Sequence, residues 1–155
     1  MPSAHIFQIN ISNGGVPKAA IARGQVTRLG LEGDRQRDQK HHGGPDRALC
    51  LFALEVILDL QRQGHPIYPG AIGENVTVAG LDWRQVAPGV ALQLGEEVRV
   101  LITDFAHPCS NIQAAFADGY FNRVSPKKDR HNARAYARVL EEGLLRPGDP
   151  ITLLR

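Results

Sequence analysis

Three stretches of this 155-residue chain combine residue types that can do chemistry. The first is Gly33-Asp34-Arg35-Gln36 followed by His42-Gly43-Gly44-Pro45-Asp46-Arg47; the second is Pro69-Gly70-Ala71-Ile72-Gly73-Glu74-Asn75; the third is His107-Pro108-Cys109-Ser110-Asn111. Paired glycines beside a histidine and two arginines can form an anion cradle. Glycine lets backbone amides approach a ligand, and arginine adds a bidentate fork for phosphate or carboxylate. The same residues are also the common vocabulary of turns and surface ion pairs. Cys109 follows a proline, precedes a loop-to-helix junction and lies two positions from His107. A helix N-terminus and a nearby imidazolium both favour a thiolate, whereas a lone cysteine is often a small buried apolar residue. Cys50, inside the apolar run LCLF, reads as core. His41 and His42 are neighbours that would face opposite sides of a strand, and no C-x-x-C or H-E-x-x-H spacing accompanies them, so no structural zinc is expected. There is no G-x-S-x-G elbow, Walker loop or G-x-G-x-x-G fingerprint.

The elements that must hold these stretches are short. Phe7, Ile9 and Ile11 alternate with Gln8 and Asn10, which predicts a half-buried strand over Ala4–Ile11, ended by the Asn13-Gly14-Gly15 turn. Strands are likewise expected over Gln25–Leu31, Arg47–Phe52, Asn75–Val78, Val90–Leu94, Val98–Thr103, Ala133–Val139 and Ile151–Leu154. The clearest helix is Leu54–Gln63, with Gly64 at its C-terminal cap. Ser110 and Gln113 have capping-box spacing, so a second helix is expected there, limited by Gly119. Ile67–Gly73 reads as a loop, Ser125–Asn132 as a polar, mobile loop and Arg146–Asp149 as a turn. Many short strands with two helices predict a mainly β domain, a barrel or rolled sheet.

Composition agrees. The 16 glycines and 10 prolines of the chain exceed average usage of roughly 12%, which disfavours long helices. Thirteen of the glycines lie between Gly14 and Gly95, many within the motifs. One domain spanning 1–155 is expected from the length. A net charge of +2 and 6% aromatic residues argue against nucleic acid, and the Lys127, Lys128 and Arg130 cluster reads as a solvated loop. No apolar run approaches a membrane span, and the polar residues near the start break any signal-peptide core, so a cytoplasmic protein with reduced thiols is expected.

Taken together and in order, GLEGDRQ (30–36), HGGPDRAL (42–49), PGAIGENVTVAGLD (69–82) and Pro108-Cys109 resemble the MOSC domain, named after the C-terminal domain of molybdenum cofactor sulfurases. The opening INISNGGVPK, which contains Lys18, and the closing LRPGDPITLL are similar to its stand-alone members. The resemblance implies a MOSC-like β-barrel or rolled sheet with a few short helices, and association with the molybdenum cofactor, a pterin bearing a dithiolene and a phosphate. Cys109 matches the family's cysteine, proposed there to carry sulfur as a persulfide or to ligate molybdenum as a thiolate, roles suited to a soft ligand. Gly33, Asp34, Arg35, His42, Gly43, Gly44, Asp46 and Arg47 match the family's first block; Gly73, Glu74 and Asn75 match its second. Arg35 and Arg47 suit the cofactor phosphate. Glu74 or Asp34 suits the guanidine-like edge of the pterin, although Glu74 could instead brace a tight loop through backbone N–H bonds.

Many members carry an arginine shortly before Pro-Cys. Here the run is Phe105-Ala106-His107, so any charge role at that point falls to His107. The sequence contains neither a pyridoxal-phosphate desulfurase domain nor the extra C-terminal helices of longer relatives, so independent sulfur mobilisation is not expected. The functions implied are a sulfur carrier, or a cofactor-dependent reductase of N-hydroxylated compounds, served by a sulfur donor or an electron-transfer protein. The alternative is a non-catalytic binding or assembly module in molybdenum cofactor metabolism.

Overall fold

The first strand forms as expected, but its alternation is broken. In β1 (His5–Ile11) Ile6 and Ile9 are fully buried while Phe7, expected on the buried face with Ile9 and Ile11, is exposed, because a register shift between Ile6 and Gln8 in the pairing with residues 76–79 changes which side chains face inward. The computed structural model of the chain describes residues 3–35 and 44–154. After β1 come β2 (Ala19–Ile21), β3 (Gly24–Thr27), β4 (Gly30–Leu31), β5 (Leu49–Ala53) and β6 (Val76–Ala79). They are followed by β7 (Ala91–Leu94), β8 (Val98–Phe105), β9 (Ala135–Glu141), β10 (Gly143–Leu145) and β11 (Ile151–Leu154). Helix α1 (Leu54–Arg62) crosses between β5 and β6, the parallel pair of the large sheet. A parallel pair requires such a crossover, and a helix is its usual form.

The large sheet runs in the order β11-β7-β8-β9-β5-β6-β1-β2, and a small sheet runs β10-β3-β4. The chain is therefore mainly β with short helices, as expected, and the sheet is rolled rather than closed into a continuous ladder. Three backbone bonds bring its ends together: Ile6 N–H to the Asp149 carbonyl (2.9 Å), Gly148 N–H to the Ile6 carbonyl (2.7 Å) and Ile151 N–H to the Ala4 carbonyl (2.9 Å). The rolled sheet encloses one apolar cluster that includes Ile6, Leu51, Val76, Leu92, Val100 and Ala137. A second cluster joins Phe52, Ile57, Leu60, Ile72, Ile112 and Phe116 beneath α1. Strand β5 is buried on both faces and serves both, which explains its continuous apolar run.

Several expectations are corrected. Gln25–Leu31 is a hairpin of β3 and β4, because Gly30 takes φ 124° and its carbonyl accepts the Thr27 hydroxyl at 3.0 Å. Ser110–Ala115 is a 3-10 turn whose N-cap is Cys109, and no side-chain capping bond forms, so the capping box is not realised. Ser125–Asn132 forms helical turns in place of the expected loop. The Ser125 hydroxyl accepts from Lys127 N–H at 3.2 Å to start α2 (Pro126–Asp129), and Asp129 accepts from His131 N–H at 2.9 Å to start the next turn. Proline at the first helical position completes that start signal. Among the described residues no helix is long and apolar enough to cross a membrane.

Candidate functional site

Most of the motif residues converge on the end of β1 and the start of β5. Asp34 lies at the centre of a buried network. Its Oδ1 accepts from Lys18 Nζ at 2.6 Å and from Ser12 N–H at 3.0 Å, and its Oδ2 accepts from Asn75 Nδ2 at 2.8 Å. The Lys18 and Asp34 side chains are each 6% exposed, so this ion pair is shielded from water. Asn75 ties the network to the sheet. Its Oδ1 accepts from Cys50 N–H at 3.0 Å, and its own N–H donates to the Cys50 carbonyl at 2.7 Å.

Glu74 occupies the adjoining loop. Its Oε2 accepts from Gly70 N–H at 3.1 Å and from the Thr77 hydroxyl at 3.0 Å. Burial pushes its carboxyl above the ordinary range near 4.5, against the hydrogen bonds from Gly70 and Thr77 and the charge of Arg134. Its Oε1 and the buried Nε of Arg134 have no hydrogen-bond partner among the described residues; Arg134 Nη1 donates to the Ile72 carbonyl at 2.8 Å. Gly73, with φ 96°, turns the loop into Glu74. Lys18, Asp34, Glu74 and Asn75 thus face inward with most of their polar atoms engaged by the protein itself. In this conformation they hold the loops 12–18, 33–35 and 70–75 against β5.

The open side of the site carries different groups. Gly33, with φ 85°, and Arg35 are exposed, and Arg35 N–H donates to the Ser12 carbonyl at 2.8 Å. Gly44 is exposed at φ 93° and begins the 3-10 turn Pro45–Arg47. That turn is fixed on the sheet at two points: the Thr103 hydroxyl donates to the Asp46 carbonyl, and the Asp46 carboxylate pairs with Arg138. Arg47 consequently lies over the Tyr136 ring, 5.2 Å from its centroid. Cys109 is half-buried and His107 is exposed. Cys50, in contrast, is 5% exposed and packs with Ala106 and Tyr136. Burial pushes its thiol up to about 11, so the two cysteines differ sharply in access. Gln36, His42 and Gly43 lie outside the described residues. Among the described residues no group of three His, Cys, Asp or Glu side chains could hold a metal ion.

Sequence reasoning missed Asn10, Ser12, Arg134 and Tyr136. Asn10 carried no signal: it falls on the polar phase of the alternation expected for β1, yet it is fully buried, and its Nδ2 donates to the Glu74 carbonyl and the Thr77 hydroxyl, both at 3.2 Å. Tyr136 carried one, as a single large ring in the alanine-rich run Ala133–Ala137.

The MOSC domain family matches residues 38–152. The uncharacterized protein YflK of Bacillus subtilis is 34% identical over 145 residues, covering 93% of this chain and 64% of that protein. Protein YiiM of Escherichia coli is 36% identical over 108 residues, covering 63% of this chain and 48% of that protein. A reductase of Gibberella moniliformis is 28% identical over 130 residues, 81% of this chain but 22% of that protein. The chain therefore spans about half to two thirds of the length of YiiM and YflK. The crystal structure of YiiM from Geobacillus stearothermophilus superimposes with a TM-score of 0.73 at 27% identity, covering 98% of this chain and 75% of that one. With the family match extending from the glycine-rich segment through Cys109 to the last strand, the chain belongs to the MOSC domain family.

Proposed function

We propose that this domain binds the molybdenum cofactor and that Cys109 is its reactive group, carrying sulfur as a persulfide or ligating molybdenum as a thiolate. The observation that supports this reading is the contrast between the two thiols: Cys109 is accessible beside a 3-10 turn, while Cys50 is sealed within the sheet. The donor set fits such a ligand. Arg35 and Arg47 are cations for a phosphate, Gly44 leaves the backbone approachable, and Cys109 offers soft sulfur. When bound, the cofactor supplies a molybdenum centre able to accept sulfur or exchange electrons. In the carrier role, the Cys109 thiolate attacks the outer sulfur of a donor persulfide and the donor thiolate leaves, with no net electron exchange. The Lys18–Asp34–Asn75 network keeps the surrounding loops in register during that exchange. A second reading, a cofactor-dependent reductase acting on N-hydroxylated compounds, is supported by the match to the fungal reductase, of which this chain covers a small part.

The test is purification from a cofactor-competent host under anaerobic, non-denaturing conditions, with molybdenum, pterin and intact mass measured. The wild-type chain should carry pterin and molybdenum, or a reducible adduct of about 32 Da on the Cys109 peptide. Cys109→Ser should lose the adduct and most of the metal, while Cys50→Ser retains both. A wild-type chain that takes up neither cofactor nor sulfur overturns the proposal. Full cellular function in Cys109→Ser would instead favour a non-catalytic assembly module.

A further inference from the structure

Tyr136 belongs to none of the sequence motifs, yet several groups of the site meet at its ring. It pairs with Cys50 on one side of β9 and with Asp104 on the other. Its ring packs against Cys50 and Ala106, and Cys109 follows Ala106 by three residues. The Pro45–Arg47 turn is pinned to the same strands by Thr103 and Arg138, and the Thr103 hydroxyl also reaches the Tyr136 carbonyl at 3.3 Å. That anchoring sets Arg47 over the ring face at 5.2 Å. The phenol is pushed up to about 12, first by burial and then by Cys50, with Cys109 acting in the same direction and Arg134 and Arg47 opposing. It therefore stays neutral near physiological pH. A neutral aromatic face attracts a guanidinium and fixes its plane.

We infer that Tyr136 is a positioning residue: its ring, which packs with Ala106 three residues before Cys109, holds the Arg47 guanidinium, so that an anion approaching the thiol meets a fixed cation. This deepens the cofactor-binding reading and rests on it only for the identity of the anion. The arrangement itself is a property of the chain without ligand. Neighbouring alanines offer no other ring to replace it, since Ala133, Ala135 and Ala137 flank Tyr136 on β9 and its approach.

The experiment uses the purified full chain at low ionic strength and one pH. Cys109 is alkylated with iodoacetate, an anion, and with iodoacetamide, its neutral analogue, and modification is assigned by peptide mass. Both reagents attack the same thiolate, so the ratio of their rates reports local positive charge rather than thiolate fraction. Arg47→Gln should lower that ratio by about threefold, the size expected of one charge acting on the thiol through a solvated setting. Tyr136→Leu should lower it comparably, Tyr136→Phe should keep the wild-type ratio, and added salt should shrink the wild-type preference. A wild-type ratio in folded Tyr136→Leu, or in Arg47→Gln, overturns the inference. Folding is checked by circular dichroism, and Tyr136→Met takes the place of Tyr136→Leu if the latter does not fold. Absence of molybdenum and pterin from the wild-type chain would sink the cofactor reading while leaving these ratios interpretable.

Discussion

Glu74 shows how a residue can belong to a functional motif and still act on the fold. Its carboxyl is fully buried, and burial favours the protonated form above the usual value of 4.5. Because the folded state then holds a proton that the unfolded chain releases, stability falls as pH rises from about 4.5 through the raised folded value. Below that window both states are protonated and the residue contributes no slope. Glu74→Gln keeps an oxygen for Gly70 N–H and the Thr77 hydroxyl but cannot ionise. It should flatten this part of the stability profile, so its advantage over wild type grows as pH rises through the window. Urea midpoints of both proteins across that range check this; parallel profiles would show that Glu74 titrates normally. At this scale the sequence allowed two roles for Glu74, pterin partner or loop brace. Burial supports the second, and that depends on residues 60 or more positions away, such as Asn10, whose amide reaches the Glu74 carbonyl.

At the scale of elements, the loop 67–75 is held by close backbone approach. Gly70 has φ 90°, its carbonyl accepts Lys18 N–H at 2.9 Å, and an added Cβ would run into the Lys18 carbonyl oxygen. Gly89 has a similar φ of 94°, but a Cβ there meets no described atom within 4 Å. Gly70→Ala should therefore cost about 2–4 kcal/mol and Gly89→Ala about 1 kcal/mol, since only the first combines backbone strain with a clash. Equal costs by urea denaturation would contradict this account. The loop itself was legible from Pro69, Gly70 and Gly73, because turn residues act locally. What it packs against was not, because Lys18 is brought there by the pairing of β1 with β2. The same division explains the helical elements. Leu54–Arg62 was readable from its own apolar face, whereas Ser110 has capping-box spacing but sits one position inside the turn that Cys109 caps.

At the scale of the molecule, alternation and turns were enough to expect a strand-rich domain, but not the sheet order, which joins β9 to β5 and β5 to β6 across long separations. That order has an energetic consequence. Leu49, Leu51 and Ala53 of β5 enter the cluster enclosed by the sheet, Phe52 enters the cluster beneath α1, and Cys50 packs with Tyr136 and Ala106. One strand thus couples all three, so the core enclosed by the rolled sheet and the lobe carrying Cys109 should unfold as one cooperative unit. Two native probes report on different clusters. Trp83, the single tryptophan, is buried in the first with its indole N–H on the Ala133 carbonyl at 2.9 Å, and Cys50 lies in the third. In urea, the change in Trp83 fluorescence and the appearance of alkylatable Cys50 should share one midpoint. Phe116→Ala, made in the second cluster, should cost about 3–5 kcal/mol and move both probes together. If that substitution exposed the second cluster at lower urea while Trp83 kept its native midpoint, β5 would not transmit stability between the clusters, and the Cys109 lobe would be a separate unfolding unit.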